Sequence, residues 1–327
     1  MIILNTISRF LGIPAEEITR KLHVAQYEYR RFTIKKRNGK DRIIYHPSAF
    51  VKNVQYALIQ VFFSKIIINS AAYGFKRKLR SPLLKNALEH STYQYTVCID
   101  LKDFFLSIRP VDLFDSLEKH NDIMTWFKQA TIEEIDKEII RKYCFVKNRH
   151  EEKLAIGSPS SPDISNIVMR VVDVALVEMA TSFEGKYTRY ADDIIVSYNE
   201  KGIGSRIYGR VKEILHENLC NLEINEEKTK FFSKKGKRVV TGMVIGSDSK
   251  VSIGRDKKRN VQKQIYKYGK GLLDDREKAS LVGYIAFIRD VDIGFFHKLY
   301  CKYGDHILDE LIGKKKPIGA FSSDLNN

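Results

Sequence analysis

Two adjacent aspartates, Asp192 and Asp193, lie between strand-forming runs in TRYADDIIVS, residues 188–197. Those runs call for a β-hairpin, which puts both carboxylates in or beside its turn, where like charges repel. Two readings satisfy the constraint. Asp is a good turn former in any protein. Alternatively, a divalent cation neutralises the pair and uses it to organise a reaction. The rest of the chain has to separate the two.

Upstream, YTVCIDLKDFF reads as a buried strand from Tyr95 to Leu101 that delivers Asp100 at its carboxyl end. Between it and the hairpin, LAIGSPSSPDISNIVMRVVDVALVEMA starts as a Gly/Ser/Pro loop and becomes a helix. The apolar face of that helix is Ile164, Ile167, Val168, Val171, Val172 and Ala175. YRRFTIKKRNGKDRIIYHP, ending at Pro47, reads as an earlier hairpin with RNGK as its turn. Residues 111–150 read as helical and charge-rich, and another helix is expected around 205–220. INEEKTKFF and one strand, KRVVTGMVIG, follow. The order is α+β, a small antiparallel sheet backed by helices. Pairing the 95–101 strand with the hairpin would gather Asp100, Asp192 and Asp193. Such a cluster suits two magnesium ions, one acting on an attacking hydroxyl and one on a leaving pyrophosphate.

Charge narrows the partner. The formal net charge is +16 in 327 residues. Residues 228–270 hold fourteen Lys or Arg against Asp248 and Asp256, so +12 of that excess lies in one segment. Within it, RNVQKQIYKYGK has helical periodicity, with Val261, Ile265 and Tyr268 on one face and Arg259, Lys263, Lys267 and Lys270 on the other. A merely solvated basic face normally mixes in acids, and this one has almost none, which favours a polyanion such as nucleic acid. No run of about 18 apolar residues is present to span a bilayer. The opening MIILNTISRFLGIP lacks the pattern of a signal peptide and is expected to form a short amphipathic helix in a cytoplasmic protein with no membrane partner. Cys98, Cys144, Cys220 and Cys301 have no metal-ligand spacing, so any metal comes through oxygen.

These motifs together resemble the reverse transcriptases. YADD at 190–193 resembles the family's catalytic hairpin, CIDLKDFF at 98–105 its first metal-binding strand, and GSPSSPDISN at 157–166 its loop-helix. INEEKT at 224–229 and GKDRIIYHP at 39–47 fall in the family's order. KNALEH, with Asn86 and His90, and VVTGMVIG, with Val240, Thr241 and Gly242, resemble the N-A-x-x-H and V-T-G elements of retron enzymes. The length, without room for a maturase or endonuclease domain, also suits that group.

The resemblance implies a right-hand polymerase: fingers from 1–94 with 111–155 contributing, a palm over 95–250, and a basic, RNA-binding thumb over 251–327. It makes Asp100, Asp192 and Asp193 metal ligands, with the backbone of Leu101 a further ligand, and Lys228 the residue that protonates pyrophosphate. Arg42, with Lys40 or Lys36, would grip the incoming triphosphate. Phe105 would be the gate against a ribose 2′-hydroxyl, and Gly157 and Ser158 would line the nucleotide site. Arg255, Lys258, Arg259, Lys263, Lys267 and Lys270, together with Asn86 and His90, would bind RNA. One position departs from the family: Ile156 stands where Gln is usual, with Ala155 where Pro is common.

The implied function is RNA-directed DNA synthesis on a dedicated structured noncoding RNA that is both template and primer. The deoxynucleotides are joined from an internal 2′-hydroxyl into a branched RNA–DNA product, with a separate effector protein and a role in anti-phage defence. The alternatives are another bacterial reverse transcriptase, of abortive-infection or intron type, and an RNA-binding scaffold that no longer polymerises.

Overall fold

The computed structural model describes residues 1–35, 39, 41–119, 132–148 and 151–311. They form two compact units. One comprises Met1–Leu79 and Tyr93–Ser233, and the other Arg80–Thr92 and the chain from Lys234 onward. Among the described residues no helix is long and apolar enough to cross a membrane.

The first unit opens with the expected amphipathic helix, Ile2–Leu11, which buries Ile3, Leu4 and Ile7. Strands β1 (Tyr29–Lys35) and β2 (Asp41–Pro47) pair antiparallel as the first hairpin, and Ser48 caps the helix Ala49–Val61. After β3 (Tyr95–Leu101) come helices Pro110–Glu118 and Glu134–Cys144. The helical expectation for 111–150 ends at Cys144, and its residues 120–131, 149 and 150 lie outside the described residues. Phe145–Asn148 is a strand, β4, paired with β5 (Glu151–Leu154). Phe145 and Val146 are β-formers whose burial against the core overrides the charged pattern around them.

The Gly/Ser/Pro loop leads into two successive helices, Ser161–Val168 and Arg170–Ser182. Then follow β6 (Lys186–Tyr190), β7 (Asp193–Tyr198), the helix Gly204–Asn218 and β8 (Ile224–Ser233). The sheet order is β6-β7-β3-β8, with every pair antiparallel. Alternation decides its two faces. Val97, Ile99 and Leu101 of β3, with Ile194 and Val196 of β7, enter a core shared with Ile164, Ile167, Val172, Leu176, Ile207 and Val211 of the helices. The opposite face carries Thr96, Ser197 and Ile195, all buried, and at its end the pair Asp100 and Asp193.

The second unit contains the helix Pro82–Glu89, a three-stranded sheet and three helices, Arg255–Gly269, Asp275–Val291 and Ile293–Leu311, the last broken at Gly304. KRVVTGMVIG is not one strand. β9 (Arg238–Val240) and β10 (Met243–Ile245) pair across a two-residue turn at Thr241 and Gly242, and β11 (Val251–Ser252) pairs with β10. Thr241 (φ 47°) and Gly242 (φ 78°) both take the left-handed conformation that tight hairpins require. Thr241 Oγ1 donates to Leu83 O at 3.2 Å, and the buried Arg238 donates through Nη2 to Ser91 O at 3.0 Å. The N-A-x-x-H and V-T-G elements, far apart in sequence, therefore share one unit.

Candidate active site

Asp100 and Asp193 are directly opposite residues across β3 and β7, so their side chains leave the same face of the sheet. Asp192 lies in the turn before Asp193, and its carbonyl accepts from Leu101 N at 3.1 Å. The three carboxylates feel one another. Burial, then the charges of Asp192 and Asp100, pushes the Asp193 pKa up to about 7. Burial also raises Asp192, with Asp100 adding to the shift and Lys228 and Arg42 opposing it.

The nearest fixed cation is Lys228. Its Nζ donates to Asp100 Oδ1 and Oδ2, both at 2.9 Å. As the side chains stand, no three acidic, imidazole or thiol groups among the described residues converge on one point to hold an ion. The donor chemistry nevertheless fits a divalent cation. Three carboxylates share one partly buried face, two are held above their ordinary pKa by burial and mutual repulsion, and Asp100 already takes a cation on both oxygens.

A family model described as "Reverse transcriptase (RNA-dependent DNA polymerase)" matches residues 34–268. The chain is 37% identical over 289 residues to the retron Ec73 reverse transcriptase of Escherichia coli, covering 85% of this chain and 88% of the relative. It is 30% identical to the retron Ec83 enzyme of the same species, covering 86% and 89%, and 28% identical to the retron Ec86 enzyme, covering 94% and 92%. The chain is a retron-type reverse transcriptase. It is thus an RNA-directed DNA polymerase with the α+β polymerase fold, rather than a scaffold or an enzyme of abortive-infection or intron type.

The β1–β2 hairpin of this reverse transcriptase lies against the loop before the Ser161–Val168 helix. Tyr45 N donates to Ile156 O at 2.8 Å, so Ile156 contributes its backbone to the β2 contact whatever its side chain. Gly157 (φ +103°) lies so close that a Cβ there would come within 2.7 Å of Ile44 Cγ2. The hairpin and the positive φ together demand glycine here. Arg42 is exposed on β2 and near enough to Asp192 to lower its pKa. Lys40 and Lys36 lie outside the described residues. Ser158 is buried, and its hydroxyl is committed to Gln55 Oε1 at 2.7 Å. Its hydroxyl proton is thereby used within the loop. Phe105 is half-buried, with its ring centroid 5.3 Å from Phe104 and 5.9 Å from Phe75, which the motifs did not single out.

Of the residues expected to bind RNA, most lie on the helix Arg255–Gly269, which buries Val261 and Ile265, while Tyr268 is only half-buried. Arg255, Arg259, Lys263 and Lys270 are exposed and Lys267 is half-buried. Lys258 is drawn inward, paired with Asp292 at 2.8 Å and lying over the Phe295 ring. Tyr266 is exposed between Lys263 and Lys270, where periodicity alone gave no reason to expect an aromatic ring. Asn86 and His90 are fully buried, so the expectation that these two side chains meet RNA directly is not met by their placement. Burial follows from their position where the Pro82–Glu89 helix packs on β10 and β11.

Proposed function

We propose that this reverse transcriptase copies part of its own structured noncoding RNA, starting from the 2′-hydroxyl of an internal guanosine, and leaves a branched RNA–DNA product. The observation that carries the reading is the Asp100–Asp193 register, with Asp192 in the adjoining turn close enough for the three partly buried charges to act on one another. In this proposal Asp100, Asp192 and Asp193, with the Leu101 carbonyl, would hold two magnesium ions. Bound there, the ions would supply activation of the attacking hydroxyl and charge stabilisation for the pyrophosphate.

The chain's own residues do the remaining work. Arg42 meets the triphosphate with a forked guanidinium suited to phosphate oxygens, assisted by Lys40. Phe105 closes the sugar site to a 2′-hydroxyl, and the Ile156–Ser158 loop seats the nucleotide. Lys228, released from Asp100, protonates the departing pyrophosphate. Arg255, Arg259, Lys263, Lys267 and Lys270 bind RNA phosphates, with Lys258 fixing the base of their helix. Asn86 and His90, buried where their helix packs on β10 and β11, act on RNA only through the fold of that unit. An effector protein and anti-phage defence complete the proposal, with action in the cytoplasm.

The test is to supply the RNA encoded beside the gene with magnesium and deoxynucleotides. The expected product is DNA joined to RNA by a 2′-5′ bond that a debranching enzyme releases. A product with only 3′-5′ linkages would overturn the branched-priming reading.

A further inference from the structure

Arg189 is fully buried one turn-length before the paired aspartates, and each group its guanidinium holds lies on a different segment. Nε and Nη2 donate to Asp173 Oδ1 and Oδ2, both at 2.8 Å, so the fork is aligned by a helix carboxylate. Nη2 also donates to Asn166 Oδ1 at 3.1 Å, and Nη1 to the carbonyl of Ala191 at 3.1 Å. Tyr187 donates its hydroxyl to Asp173 at 2.6 Å. Burial alone would lower the Arg189 pKa, but Asp173 and Tyr187 more than offset that, and it stays charged.

Ala191 immediately precedes Asp192 and has a left-handed backbone (φ 56°), a conformation that a residue with a Cβ adopts only under constraint. The constraint comes from two sides. On one, the segment Ala71–Gly74 lies against the turn: Arg189 N donates to Ala71 O at 2.9 Å and Tyr73 N to Arg189 O at 2.7 Å. Asn166 Nδ2 donates to Gly74 O at 3.0 Å. The approach is so close that a Cβ on residue 74 would come within 2.4 Å of Ala191 N. On the other side is the Arg189 guanidinium.

We infer that Arg189 is a positioning residue for the catalytic turn. Its fork, aligned by Asp173 and Asn166, fixes the Ala191 carbonyl and so the direction in which the Asp192 and Asp193 carboxylates leave the sheet. The inference rests on the reading of those carboxylates as the reacting centre. A buried ion pair contributes little net stability compared with apolar residues of the same volume, so stability alone does not account for it. What an apolar pair cannot do is bind the Ala191 carbonyl. Arg189 itself stays away from substrate, because its charge is spent on Asp173.

Two variants test this. Arg189→Lys keeps a charge facing Asp173, but one ammonium cannot span Asp173, Asn166 and the Ala191 carbonyl together. Arg189→Met combined with Asp173→Leu removes both charges and packs an apolar pair. Each is measured for thermal melting, for deoxynucleotide kinetics on an annealed primer, and for Mn2+ binding without substrate by paramagnetic resonance. The expected result is cooperative melting, kcat lower by about tenfold to a hundredfold, KM changed by less than about threefold, and weakened Mn2+ binding. A cooperatively melting variant of either kind with kcat within about twofold of wild type would overturn the inference. So would loss of cooperative melting in both, which would make Arg189 a packing residue only. Asp193→Asn is run alongside, because near-normal synthesis by that variant sinks the catalytic reading itself, independently of Arg189.

Discussion

Lys228 Nζ is equidistant, at 2.9 Å, from the two carboxylate oxygens of Asp100, the oxygens that a metal ion would need. An irregularity in the sheet places it there. Between the pairs Cys98–Lys230 and Asp100–Asn225, β8 advances five residues while β3 advances two, and the excess turns Lys228 toward the aspartate. A metal ion bound there would compete with the lysine for Asp100. Lys228→Met should bind Mn2+ more tightly in the absence of substrate, yet polymerise about a hundredfold or more slowly for want of a proton donor. Its melting should shift by less than about 1 kcal/mol, since a half-exposed ion pair contributes little. Unchanged Mn2+ binding with an unchanged rate would reduce Lys228 to a surface partner.

Asp193→Asn removes a negative charge that sits partly buried beside Asp192 and Asp100. DNA synthesis should fall by about a hundredfold or more, the scale of several kcal/mol of lost charge stabilisation. The fold loses nothing by the change, because the substitution relieves repulsion and keeps the turn. Metal-free melting should be at or above that of wild type. Scanning calorimetry with a primer-extension assay checks both halves, and a variant that polymerises normally refutes the metal-ligand role.

Phe105 packs between Phe104 and Phe75, whose own backbone is left-handed (φ 59°). A ring braced on two sides is a rigid wall, as a gate against one hydroxyl must be. Phe105→Ala should admit ribonucleotides while deoxynucleotide incorporation persists, read as the ratio of the two kcat/KM values on one primer. Ribonucleotide incorporation that stays at background would make Phe105 a packing residue.

Much of this site is legible in the sequence because strand alternation is local. The hydrophobic runs on both sides of Asp100 and of Asp192–Asp193 predict their strands, and the pairing follows from placing three carboxylates together. Arg189 is not legible in that way. As an arginine in a strand it looks like a surface cation, and its partners Asp173 and Asn166 become its neighbours only when the helices and the hairpin pack. The hairpin at Thr241 and Gly242 is different, because its two-residue turn signal stood in plain view within a run that reads as one strand. Burial of Asn86 and His90 depends on a sheet formed some 150 residues later, which motif spacing cannot express.

Gly157 is fixed by conformation and by space, with φ +103° and the Ile44 side chain in the path of any Cβ. Gly157→Ala should therefore destabilise the first unit by about 1–3 kcal/mol and raise the deoxynucleotide KM by loosening the β2 contact. Ile156→Gln is the contrast. Its backbone carbonyl still accepts from Tyr45, so folding and rate should be preserved or improved. Urea melts and steady-state kinetics distinguish the two, and equal damage from both would mean that the loop is held by the Ile156 side chain.

The basic helix Arg255–Gly269 and the Lys270 that follows it give the last prediction. Arg259, Lys263, Tyr266 and Lys270 recur at intervals of four, three and four, so they form one exposed stripe, opposite the buried Val261 and Ile265. Phosphate contacts supply affinity and salt dependence, whereas an aromatic ring supplies neither charge nor counterion release. Neutralising Arg259, Lys263 and Lys270 to Gln should weaken RNA binding and flatten the dependence of log affinity on log salt. The slope should fall by up to about 0.9 for each duplex phosphate that is no longer neutralised. Tyr266→Leu should leave the slope alone, and any affinity it loses should be for RNA with unpaired bases rather than for a plain duplex. Filter binding across a salt series, on a stem-loop and on a duplex of equal length, reads both quantities. A slope that does not change when three cations are removed would place the phosphate-binding cations elsewhere on the chain.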